Sequence, residues 1–165
     1  MSVDQKIILG IDPGTADTGF GVISKDTTGL KFITAGSIKT SKAKKMPERL
    51  EEIHEAVQGL LKKYQPDLVA IEKLYFARNV TTALDVGQAR GVVILAIQKQ
   101  KIDILEFTPL QIKQAVTGNG QADKRQVGLM VKTILKISEV PKPDDAADAA
   151  AAAICGAFFN HRLVK

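Results

Sequence analysis

Four acids in this sequence could carry chemistry together: Asp12, Glu72, Asp145 and Asp148. Asp12 ends the run Ile7-Ile8-Leu9-Gly10-Ile11, and Glu72 ends Leu68-Val69-Ala70-Ile71. Both runs read as strands covered on two faces, where a carboxylate is expensive unless it is paired or bound to a cation. Asp145 and Asp148 are three apart at the start of an apparent helix, so they project from one face. If the two strands are parallel neighbours, their acids emerge at one carboxyl edge, where open α/β sheets place their sites. Four converging carboxylates raise one another's pKa values unless cations neutralise them. An oxygen-only donor set points to Mg²⁺ or Mn²⁺ rather than zinc. Two such ions about 3.5–4 Å apart can activate a water and stabilise the leaving oxygen of a phosphodiester. Asp144 reads differently, as a helix cap or dipole partner.

Two further groups accompany the acids. Tyr75 and Phe76 follow Glu72 in what reads as a loop, and only eight aromatic residues occur in the chain. They either cover an apolar edge or stack on an unpaired base. Arg78, Lys113, Lys124 and Arg125 form a basic set able to bind phosphates. The run Lys39-Thr40-Ser41-Lys42-Ala43-Lys44-Lys45 is a basic loop, either a solvated connection or a phosphate contact.

The elements that must position these residues are legible in outline. After Asp12, Pro13-Gly14-Thr15 turns the chain into a strand over 18–23, and Asp26-Thr27-Thr28-Gly29 leads to a third strand over 30–38. Short turns predict an antiparallel meander for these three. Leu50, Ile53, Val57, Leu60 and Leu61 predict an amphipathic helix over 47–64, with His54 half-exposed beside the stripe. A helix over 79–98, with Asn79 as N-cap, carries Ala83, Gly87 and Gly91 on one smooth face. A fifth strand over 102–107, helices over 110–116 and 122–137, and a final alanine-rich helix to Phe159 complete the chain.

Bulk properties narrow the class. A length of 165 residues suits one domain with a sizeable core. A net charge of +5 favours an anionic partner, of which nucleic acid is the commonest. Cys155 is the sole cysteine, which excludes an intramolecular disulfide, and its neighbours read as helix packing rather than a catalytic thiol. No stretch reads as a signal peptide or a membrane span, so a cytoplasmic location without membrane association is the expectation.

Taken together, the sequence resembles the RuvC-type Holliday-junction resolvases of the RNase H-like nuclease superfamily. The matching segments are Gly10-Ile11-Asp12-Pro13-Gly14, Ala70-Ile71-Glu72, Val86-Gly87-Gln88-Ala89-Arg90-Gly91, Gln111-Ile112-Lys113-Gln114 and Asp145-Ala146-Ala147-Asp148, in the family's order. The resemblance implies an α/β, RNase H-like fold with a five-stranded mixed sheet flanked by helices. It also implies a homodimer that nicks two strands of like polarity in a four-way DNA junction during recombination and repair. By resemblance Asp12, Glu72, Asp145 and Asp148 are metal-binding catalytic acids, with Mg²⁺ as the expected ion, two per subunit, and Mn²⁺ as a substitute. Tyr75 stands where the family often has a phenylalanine that inserts at the opened junction. Lys113 and Lys124 match basic residues near the cleaved strand, and the Ala83-Gly87-Gly91 face resembles the dimer interface. A RuvA–RuvB branch-migration complex is the implied partner. Some relatives carry histidine in place of Asp145 and some have a longer tail.

Two rival classes share parts of the pattern. A junction-binding module without nuclease activity would not need all four acids. Gly10-Ile11-Asp12-Pro13-Gly14-Thr15 also resembles the first phosphate motif of actin-like ATPases and sugar kinases, but those need two such domains around a nucleotide, and no nucleotide is expected here.

Overall fold

The computed structural model describes residues 5–73 and 80–159. Five strands run in the order β1 (Lys6–Asp12), β2 (Asp17–Asp26), β3 (Gly29–Lys39), β4 (Leu68–Glu72) and β5 (Asp103–Phe107). Helix α1 (Met46–Tyr64) precedes β4 and α2 (Val80–Lys99) follows it. After β5 come α3 (Pro109–Thr117), α4 (Lys124–Leu135) and α5 (Asp144–Phe158). The sheet order is β3-β2-β1-β4-β5. β1, β2 and β3 form the expected antiparallel meander, while β4 pairs parallel to β1 and β5 parallel to β4. Two antiparallel steps also leave β3 pointing the same way as β1.

Alternation along the strands sorts side chains between two apolar layers. Ile8, Ile23, Leu68 and Ala70 pack with α3, α4 and α5 on one face. Leu9, Ile11, Val22, Val69 and Ile71 pack with α1 and α2 on the other, through Ile53, Val57, Leu61, Val93 and Ile97. The same period of two assigns Gly10 and Asp12 to the face of Ile8, and Glu72 to the face of Ala70. Both strand-end acids therefore stand on the α5 side.

Helix α5 crosses this face almost without side chains. Ala149 to Ala153 are fully buried. Opposite them lie glycines: a Cβ on Gly10 would sit 2.6 Å from the Ala153 nitrogen and overlap the Ala149 carbonyl oxygen. One on Gly21 would sit 2.7 Å from Ala150 Cα, and one on Gly19 2.9 Å from Asp145 Cβ. Helix and sheet backbones are thus in direct apposition.

The helix ends correct two sequence-based boundaries. Residues 122–137 were expected as one helix, but α4 begins at Lys124 because Asp123 caps it, accepting from the Gln126 N–H at 2.8 Å. It stops at Leu135 because Lys136 is left-handed, with φ of 53°. Thr108 caps α3 as expected, accepting from the Gln111 N–H, while the Gln111 side chain returns to the Thr108 N–H at 2.8 Å. Thr108→Ala is expected to destabilise the fold by about 1 kcal/mol, lowering the melting temperature by about 2–4 °C in a calorimetric scan. Cys155 is buried among the α5 contacts and burial pushes its thiol up to about 11, which fits packing rather than reactivity. His54 is half-buried beside the α1 stripe. Among the described residues no helix is long and apolar enough to cross a membrane.

Candidate active site

The acids meet at the carboxyl edge of the sheet. β1 delivers Asp12 from the strand next to β4, and the register Ile11↔Ile71 places Glu72 level with it. α5 starts above this edge, and its first turns carry Asp145 and Asp148. Carboxylate oxygens of Asp12, Asp145 and Asp148 all lie within 4.8 Å of one another, and all three residues are half-buried. Glu72 is outside that three-way group. It borders a cleft of about 220 Å³ with Asp148, Lys113 and Lys124.

Charge confirms the crowding. Burial and the carboxylates of Glu72, Asp148 and Asp145 push Asp12 up to about 8, against a weak opposing pull from Lys124. Burial and then Asp148 raise Glu72, with Lys124 and Lys113 opposing. Asp145 is raised by burial first and then by Asp17 and Asp148. Lys124 is itself raised by Asp148, with which it forms an ion pair at 3.2 Å. Lys124 and Lys113 cannot neutralise four carboxylates. A donor set of carboxylate oxygens with excess negative charge, close enough for one small cation to touch three of them, fits a hard divalent ion of the Mg²⁺ type.

The remaining expected residues fall in different places. Lys113 and Lys124 stand beside the acids, and Arg125 lines a neighbouring cleft with Lys124 and Lys142. Tyr75, Phe76 and Arg78, and the N-cap Asn79, lie outside the described residues. Ala83 and Gly87 are half-buried and Gly91 is exposed on α2, on the opposite side of the sheet from α5. Leu84 and Leu95, 63% and 55% exposed, extend that face and were not singled out from the sequence, although the spacing 84, 87, 91, 95 is helical. Asp144 occupies the first turn of α5, where the helix dipole favours an acid. Asp17 was also missed. It begins β2, bonds Ser37 at 2.9 Å and acts electrostatically on Asp145. Its position in a turn rather than after an apolar run gave no sign of this.

A mixed five-stranded sheet with helices on both faces, and with acids at the ends of β1 and β4 and on the last helix, is an RNase H-like fold of the nuclease type. The family model described as crossover junction endodeoxyribonuclease RuvC matches residues 8–156. A Rubrobacter xylanophilus protein of that name is 48% identical over 162 residues, covering 98% of this chain and 90% of the relative. One from Brevibacillus brevis is 53% identical over 153 residues, covering 93% of this chain and 92% of its own. The structure of Thermus thermophilus RuvC in complex with a Holliday junction substrate superposes with a TM-score of 0.85 at 33% identity, over 96% of each chain. This chain belongs to the RuvC family.

Proposed function

We propose that this chain is a structure-selective endodeoxyribonuclease that resolves four-way DNA junctions by paired symmetric nicks, through metal-assisted phosphodiester hydrolysis. The observation that supports it most is the meeting of Asp12, Asp145 and Asp148 within 4.8 Å, beside Glu72, in a member of this family. Asp12, Asp145 and Asp148, with Glu72 beside them, would hold the divalent ions, Mg²⁺ with two per subunit or Mn²⁺ in substitution. Such ions would supply activation of the attacking water and stabilisation of the departing 3′ oxygen. Lys113 and Lys124 hold the non-bridging oxygens of the cleaved strand, and Arg125 extends that contact. Tyr75 and Phe76 stack on bases at the opened junction, and Arg78 holds an adjacent phosphate. In this reading water attacks directly, without a covalent intermediate.

The working form in this proposal is a homodimer of single-domain subunits spanning 1–165, joined through Ala83, Gly87 and Gly91. A two-fold axis then presents two sites to a substrate of approximate two-fold symmetry. A RuvA–RuvB complex delivers the junction in the cytoplasm. The test is cleavage of a synthetic four-way junction against a linear duplex of matched sequence, with Mg²⁺ and with chelator. Paired nicks in the junction alone, lost on chelation, are expected. Equal cutting of both substrates leaves a general nuclease and removes the resolvase assignment.

A further inference from the structure

The lysine-rich connection between β3 and α1 is built into the site's own edge. Thr40 donates its N–H to Ala16 O at 3.0 Å and its hydroxyl to Thr15 O at 2.6 Å. Arg49 Nε reaches back from α1 to the Thr40 hydroxyl at 2.8 Å. Thr15 and Ala16 belong to the turn directly after Asp12, so the loop is tied to the backbone that presents the central acid. Ser41 closes the tip: its carbonyl accepts from Lys44 N and its hydroxyl from Ala43 N, both at 3.2 Å. These bonds hold the loop in one shape, unlike a plain solvated connection.

Its charges are left available. Lys39, Lys42, Lys44 and Lys45 are exposed, and only Lys44 is paired, with Glu52. Lys39, Lys42 and Lys45 form no ion pair among the described residues. They do not serve to balance the acids either, since the cation acting on Asp12 and Asp145 is Lys124. Because β3 points the same way as β1, Lys39 ends its strand at the edge where Asp12 ends its own. Along this edge the acids thus have cations on both flanks, Lys113 and Lys124 beyond β4 and Lys39 to Lys45 beyond β2.

We propose that Lys39, Lys42 and Lys45 grip the phosphates of a duplex arm of the bound DNA, on the side of the site opposite Lys113 and Lys124. This rests on the DNA-cleaving reading above. Two strand spacings, about 10 Å, separate β3 from β1. Lys39 therefore stands within a few nucleotides' reach of a phosphate placed over Asp12, with Lys42 and Lys45 in the loop that follows it. Contacts of this kind read no sequence and set register and affinity.

The test compares Lys39→Ala/Lys42→Ala/Lys45→Ala with Lys62→Ala/Lys63→Ala/Lys101→Ala, which removes equal charge from the opposite edge of the sheet. Binding of a linear duplex and of a four-way junction is followed by anisotropy across a salt series in metal-free buffer, where nothing is cut. The loop variant is expected to lose on the order of tenfold in affinity at low salt on both DNAs. Its slope of log affinity against log salt should be shallower by about 2–3, roughly 0.9 per lost phosphate contact. The control variant should stay near the parent. A loop variant that tracks the control overturns the inference. A parent that prefers neither DNA form while the loop variant still loses slope on duplex sinks the resolvase reading and leaves the contact standing. A parent that binds neither DNA sinks both.

Discussion

Asp12→Asn is expected to abolish cleavage and, in metal-free buffer, to make the protein more stable. The two effects share one cause. Asp12 is held at a site where burial and three neighbouring carboxylates push it up to about 8 from an ordinary value of 3.8. The folded chain thus binds a proton at this residue that the unfolded chain releases between about pH 4 and pH 8. Stability falls with rising pH wherever the folded state holds more protons, so this group costs progressively more across that window. By neutral pH the penalty is about 4 kcal/mol, and a neutral amide of the same shape removes it. For a chain of this size that corresponds to a rise of roughly 8–16 °C in melting temperature. The metal-free parent should lose stability from pH 5 to pH 8 while Asp12→Asn stays flatter. Catalysis moves the other way: losing the central donor forfeits several kcal/mol of transition-state stabilisation, about a thousandfold or more in rate. A variant that cuts normally, or that melts below the parent at pH 7.5 without metal, would place Asp12 in a structural role instead.

Gly10→Ala should be among the most damaging single added methyls in the described residues. Its Cβ would overlap the Ala149 carbonyl oxygen and stand 2.6 Å from the Ala153 nitrogen. Neither neighbour is a flexible side chain, so the only relief is to lift α5 off the sheet. Overpacking of a core commonly costs 1–3 kcal/mol, and a clash with helix backbone belongs at or above the top of that range, about 3–5 kcal/mol. Against a total stability of about 5–15 kcal/mol, that leaves a marginal fold. Gly19→Ala overlaps the Asp145 backbone and Cβ in the same way, so it is expected to cost comparable stability and to lower cleavage as well, because it displaces an acid. Gly59→Ala is the control: nothing lies within 4 Å of its added carbon, and in an exposed helix position it should stabilise by about 0.5–1 kcal/mol. Urea melts of the three variants separate these outcomes. A Gly10→Ala protein as stable as the parent contradicts the direct apposition of helix and sheet.

Local features of the sequence carried most of the fold. Apolar runs marked β1 and β4, the stripe Ile53, Val57, Leu61 marked α1, and Thr108-Pro109 marked the start of α3. The boundary errors on α4 had a readable remedy, since Asp123 and Gln126 have capping-box spacing. What stayed hidden was pairing between distant elements. The alanine run of α5 was recognisable as a packing surface, but its partners, Gly10, Gly19 and Gly21, look like ordinary strand residues until the helix is laid across them. The convergence of Asp12 with Asp145 and Asp148 depends on that crossing, which no local pattern encodes. Alternation could have shown that Gly10 and Asp12 share a face. Glu72 illustrates a finer limit. Strand register brings it level with Asp12, yet side-chain torsions decide the last few ångströms, and it stays outside the three-way group while bordering the same cleft.

The last helix has a bearing on how such a cutting protein comes into being. Chains emerge amino end first, and α5 is the final described element. Until it arrives, the middle of one sheet face, over β1 and β2, lacks its covering helix, and the proposed site lacks Asp145 and Asp148. A nascent or prematurely broken chain therefore holds neither a finished core nor a finished set of scissors. In the proposed mechanism, the act that buries the alanine helix also arms the site, so a fragment ending before Asp144 is expected to cut no DNA.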